Sequence, residues 1–125
     1  MTIYAVGDIH GQRAMLEDAL TLIEADGGRD AQVVFLGDYV DRGPDSAGVL
    51  DILARGQEAG RNWICLMGNH DRMMRHFLEE TPRSDPYLLV THNWFHPSIG
   101  GRETLASYDL DVDDGTRVYQ VYERA

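Results

Sequence analysis

The sequence predicts an α/β fold in which three parallel strands alternate with helices, β-α-β-α-β, and two observations carry that reading. Short apolar runs, Ile3-Tyr4-Ala5-Val6, Val33-Val34-Phe35-Leu36 and Trp63-Ile64-Cys65-Leu66-Met67, are separated by connections of roughly 25 residues, and a parallel crossover needs about a dozen or more. Each run closes on a glycine-led polar turn: Gly7-Asp8-Ile9-His10-Gly11, Gly37-Asp38-Tyr39-Val40-Asp41-Arg42-Gly43 and Gly68-Asn69-His70-Asp71. In an open α/β sheet the ligand crevice lies outside the carboxyl ends of the strands. The pattern therefore gathers Asp8, His10, Asp38, Asp41, Arg42, Asn69 and His70 at one edge.

The three runs are continuous and rich in β-branched and aromatic residues, the pattern of strands buried on both faces. From Gln12 to Ala25, Met15, Leu16, Ala19, Leu20, Leu22 and Ile23 recur at helical spacing and predict an amphipathic helix that covers the sheet. Asp26-Gly27-Gly28-Arg29-Asp30 ends it. Pro44 with Asp45 or Ser46 starts a second helix, with Val49, Leu50 and Leu53 on its buried stripe and Gly60 past its end. Met73, Met74, Phe77 and Leu78 predict a third over residues 71–80, halted before Pro82; methionines at that spacing fill a core more often than they bind a cofactor. Residues 81–98 mix three prolines with Tyr87, Leu88, Leu89, Trp94 and Phe95 and read as a loop and a short helix closing over the sheet edge. Residues 102–108 follow as another short helix, and the segment after Asp113 suits a helix or a strand equally.

At 125 residues the chain is one domain's worth, residues 1–125, long enough to bury a core without staples. Its single cysteine, Cys65, lies inside an apolar run, so no disulfide framework exists and a reducing compartment fits. No apolar run approaches the about 20 residues of a spanning helix. Met1-Thr2-Ile3 lacks a basic leader, so a soluble, cytoplasmic protein without a membrane partner is expected. A net charge of −10 repels long polyanions and argues against nucleic acid as a partner. Part of that acidity has a local use, since carboxylates gathered at strand ends are neutralised by divalent cations. There is no lysine, so phosphate recognition falls to guanidinium groups.

Asp8 and His10 two residues apart, Asp38 on the next strand and Asn69 on the third make a mixed oxygen and nitrogen donor set. Such a set suits manganese, iron or zinc better than calcium. A carboxylate, here Asp38, can bridge two ions that lower the pKa of a shared water and clamp phosphoryl oxygens, with Arg42 adding a planar fork to the same phosphate. A lone Gly-Asp after a strand is weak, and a single histidine in a loop is more often an ordinary polar residue; three such turns after three successive strands are different. His76, His92 and His96 lack this setting and read as surface or helix-packing histidines.

These three turns resemble the signature motifs of the phosphoprotein phosphatase family of calcineurin-like metallophosphoesterases, and the Asp41-Arg42-Gly43 ending separates that family from the wider group. The stretch from Asn93-Trp94 through Gly100-Gly101-Arg102-Glu103-Thr104-Leu105-Ala106-Ser107-Tyr108 is similar to its bacterial branch, which includes serine/threonine phosphatases and symmetrical bis(5'-nucleosyl)-tetraphosphatases. The resemblance implies metal-dependent hydrolysis of a phosphoprotein or a dinucleoside polyphosphate by hydroxide activated between two divalent ions, manganese first, with iron and zinc also suited. It implies that Asp8 and His10 hold one ion, Asp38 bridges, Asn69 holds the second, His70 protonates the leaving oxygen, Asp41 pairs with His70 and Arg42 binds phosphate. Asp71 stands where glutamate is commoner and reads as support for the ligands; Met67 stands where many relatives have arginine.

Family members run to roughly twice this length, their later part supplying two more metal-binding histidines and an arginine, so the chain resembles an amino-terminal half of the αββα sandwich. One such layer leaves sheet surface uncovered and predicts self-association and little turnover. The alternative function is a non-catalytic half that binds a metal or a partner.

Overall fold

The computed structural model describes residues 2–78 and 94–110. Within them run β1 (Ile3–Val6), α1 (Arg13–Gly27), β2 (Gln32–Phe35), α2 (Ser46–Glu58), β3 (Trp63–Cys65), α3 (Asn69–Phe77) and α4 (Gly101–Ala106). The sheet order is β1-β2-β3 with both pairings parallel, as the spacing predicts. β3 is shorter than its apolar run, although the Leu66 N–H still donates to the Phe35 carbonyl at 2.9 Å. The expectations for residues 81–93 and for the segment after Asp113 lie outside the described residues.

Local chemistry sets the helix boundaries. Asp45 caps α2, its carboxylate accepting the Gly48 N–H at 2.8 Å. α3 starts two residues earlier than the periodicity predicts because Asp71, in its first turn, reaches back to the Gly68 N–H at 2.9 Å. Asn69 and His70 thereby belong to a helix rather than to the loop before it.

Register places Tyr4, Val33 and Trp63 in one row and Val6, Phe35 and Cys65 in the next, on the same face. That face meets Leu16 of α1 and Val49 and Leu53 of α2 in the main core, with Phe35 edge-on to Trp63 at 5.4 Å between ring centroids. The expectation of strands buried on both faces is corrected here. On the other face Ile3, Leu36, Ile64 and Leu66 are 56%, 50%, 44% and 47% exposed. Strands laid down in sequence order with crossovers of one hand put α1 and α2 on the same side, so among the described residues no helix covers the second.

A smaller cluster joins Met73 and Phe77 of α3 to Trp94, Leu105 and Leu110, with Phe95 and Ile99 packed against it. The Phe77 centroid lies 5.1 Å from those of both Trp94 and Phe95. The 94–110 segment thus docks on α3, directly behind the polar turns. His76 is buried in α3, as a helix-packing histidine should be.

Candidate active site

The three polar turns are tied together through their backbones. Ile9 and His10 donate their N–H groups to the Asp38 carbonyl at 3.0 and 2.9 Å, and Gly11 donates to the Tyr39 carbonyl at 2.9 Å. Asp71, from the third turn, accepts the N–H groups of Asp38 and Tyr39 at 2.7 and 2.9 Å. His10, Asp38, Asp41 and Arg42 all hold left-handed backbone, with φ of 43°, 57°, 76° and 70°. Such residues persist where their surroundings over-determine them, and these hydrogen bonds do so. Gly68 is needed for close approach, since a Cβ there would overlap the Asp38 carboxylate. At Gly43 a Cβ would overlap the His10 carbonyl.

One ligand atom from each of Asp8, His10 and Asp38 lies within 4.8 Å of the other two. His10 Nδ1 is 2.8 Å from the Val40 carbonyl. A carbonyl only accepts, so Nδ1 carries the proton and Nε2, 3.7 Å from Asp8 Oδ2, presents its lone pair to the cluster. Two carboxylates and an oriented imidazole fit a divalent transition ion, and Asp8 is open to water. Asp38 Oδ1 also accepts the His70 N–H at 3.0 Å, which fixes the carboxylate at the mouth of α3. Asn69, the first residue of α3, is exposed at the same edge.

His70 stands edge-on to His10, with ring centroids 4.7 Å apart. Its Nδ1 donates to Asp41 Oδ2 at 2.7 Å, and both side chains are buried. Asp41 has no exposed surface, and a buried carboxylate is costly unless its lone pairs are satisfied. Trp94 Nε1 supplies a donor 2.9 Å from both oxygens, and the Thr104 hydroxyl a second at 2.7 Å from Oδ1. The Asp41 N–H is taken by the hydroxyls of Thr104 at 2.7 Å and Ser46 at 3.2 Å. Arg42 donates Nε and Nη2 to the Ser98 carbonyl at 3.2 and 2.9 Å, and its N–H to the Gly100 carbonyl at 3.1 Å.

All seven residues singled out by the turns thus lie at the carboxyl ends of β1, β2 and β3. Trp94, Thr104, Ser46 and the Val40 carbonyl join them without being predicted. Of the other histidines, His96 Nδ1 engages Ser98 and His92 lies outside the described residues.

The sequence model of the calcineurin-like phosphoesterases matches residues 1–123. The chain belongs to this family. The symmetrical bis(5'-nucleosyl)-tetraphosphatase of Paracidovorax citrulli is 45% identical over 71 residues, 57% of this chain and 24% of that protein. The protein of the same name from a Janthinobacterium species is 44% identical over 72 residues, again 24% of its length. Serine/threonine-protein phosphatase 1 of Salmonella typhimurium is 34% identical over 94 residues, 74% of this chain and 40% of the phosphatase. The matches therefore span well under half of these curated relatives.

Proposed function

We propose that residues 1–125 belong to one phosphoesterase domain that hydrolyses a phosphoprotein or a dinucleoside polyphosphate in the cytoplasm. The observation that carries this reading is the adjacency of the Asp8, His10 and Asp38 cluster to the buried pair formed by His70 and Asp41. Asp8, His10 and Asp38 would hold one divalent ion and Asp38 with Asn69 would hold a second, manganese, iron and zinc all suiting the donors. When bound, the ions lower the pKa of a water and neutralise phosphoryl oxygens.

The remaining work falls to side chains. With Nδ1–H committed to Asp41, His70 holds its mobile proton on Nε2, and the Asp41 carboxylate stabilises the imidazolium. As the water oxygen bonds to phosphorus and the P–O bond to the leaving group breaks, an ester bond in a phosphoprotein or an anhydride bond in a dinucleoside polyphosphate, that proton passes to the leaving oxygen. Arg42, exposed and steadied by Ser98, offers its guanidinium to the phosphate. Both substrate classes come from the relatives' names, the first from the Salmonella phosphatase and the second from the tetraphosphatases.

The test is metal content by mass spectrometry beside hydrolysis of aryl phosphates, a phosphopeptide and a dinucleoside tetraphosphate. Asp38→Asn should lose more metal than Asp8→Asn, because a bridge serves both ions. Equal loss in the two variants would remove Asp38 from the bridging role. No metal-dependent hydrolysis of any of the substrates, read as released phosphate for the monoesters and as nucleoside diphosphate for the tetraphosphate, would sink the enzymatic reading.

A further inference from the structure

We infer that Trp94 and Thr104 are positioning residues of the acid: together they clamp the Asp41 carboxylate and thereby fix the tautomer and direction of the His70 ring. This rests on the role proposed for His70. The geometry beneath it does not.

Trp94 Nε1–H can only donate, and it lies 2.9 Å from each Asp41 oxygen. The Thr104 hydroxyl accepts the Asp41 backbone N–H at 2.7 Å, which has no other direction in which to be used than donation. Its own proton is therefore left for Asp41 Oδ1, also 2.7 Å away. With two donors already turned on the carboxylate, His70 Nδ1 at 2.7 Å from Oδ2 completes the set as a third. Each donor comes from a different place: α3, the turn before α4, and α4 itself. A carboxylate held at three points cannot swing, and the ring hydrogen-bonded to it cannot flip without losing its partner.

The competing reading is packing alone. Trp94 sits among Phe77 and Phe95, and Thr104 has no exposed surface, so either side chain would be conserved in shape by a core. Substitutions that keep shape and remove the donor separate the two. Trp94→Phe keeps a buried ring, Thr104→Val keeps the branched outline, and Thr104→Ser keeps the hydroxyl.

The experiment is a long-range ¹H–¹⁵N correlation of the imidazole nitrogens in the metal-free chain at mildly alkaline pH, with His70 assigned by its loss in His70→Asn. Wild-type His70 should show Nδ1 protonated and Nε2 bare. Trp94→Phe and Thr104→Val should each convert this to a mixture of tautomers, and Thr104→Ser should restore it. On metal-loaded protein the first two should lose about 10–100-fold in kcat for poor leaving groups, with KM and good leaving groups little changed. Unchanged His70 signals in folded Thr104→Val and Trp94→Phe would overturn the inference; if Trp94→Phe does not fold, Thr104→Val decides alone. A tautomer shift in a chain without phosphatase activity would leave the clamp standing and remove the proposed function instead.

Discussion

Asp71 acts on the site through the backbone rather than through a ligand. Its carboxylate gathers N–H groups from Asp38, Tyr39 and Gly68, so one side chain locks the second turn to the third. Burial pushes its carboxyl pKa up and the three amides oppose that rise. Removing it in Asp71→Ala strands three amide donors, and we expect a loss of about 2–3 kcal/mol in urea unfolding together with weaker manganese uptake. Tyr39 is the second residue to watch. Its hydroxyl donates to the Phe35 and Leu66 carbonyls at 3.1 and 2.6 Å, and burial first, then Cys65 and Asp71, raises its pKa above the ordinary 10.0. A raised pKa means that the folded state holds the proton more tightly, so this contribution is intact below pH 10.0 and is lost as pH climbs past it. Thermal unfolding followed against pH should show a fall in midpoint above that value. Tyr39→Phe should flatten the fall, what remains belonging to Cys65, Tyr4 and Tyr108, while costing about 1–2 kcal/mol at neutral pH.

Among the elements, α2 offers the cleanest test of local chemistry. The Asp45 cap on Gly48 should be worth about 1 kcal/mol, read as the difference in unfolding free energy between wild type and Asp45→Ala. The ion pair that Arg13 makes with Asp45 at 3.4 Å is largely solvated and should add little to that figure. Strands and helices of this kind were legible because their signals are local: apolar runs closed by glycine, Leu16 and Leu20 four apart, a capping acid before Val49. The three turns were legible for the same reason. What could not be read was the wiring behind them. Trp94 and Thr104 reach Asp41 across 53 and 63 residues, and neither position carries a periodicity or a motif that names its partner. The start of α3 was missed by two residues because the apolar stripe begins at Met73, whereas the helix begins where Asp71 finds the Gly68 N–H.

At the scale of the molecule, the sheet has one face in the core and one apolar face open among the described residues, and composition cannot say which face of a continuous apolar run a helix will cover. Ile3, Leu36, Ile64 and Leu66 form a patch that a second copy of the chain can share, so sedimentation at micromolar concentration should show association that Ile64→Thr weakens. The same face bears on heat. Unfolding raises heat capacity in proportion to the apolar surface newly wetted, about 12–15 cal/mol/K per residue for ordinary domains. Side chains already wet in the native state contribute nothing to that change. Calorimetry on the dilute monomer should therefore give a heat-capacity increment below this range. Its stability should then vary more gently with temperature, and its denaturant slope should be shallower, than chain length alone would set.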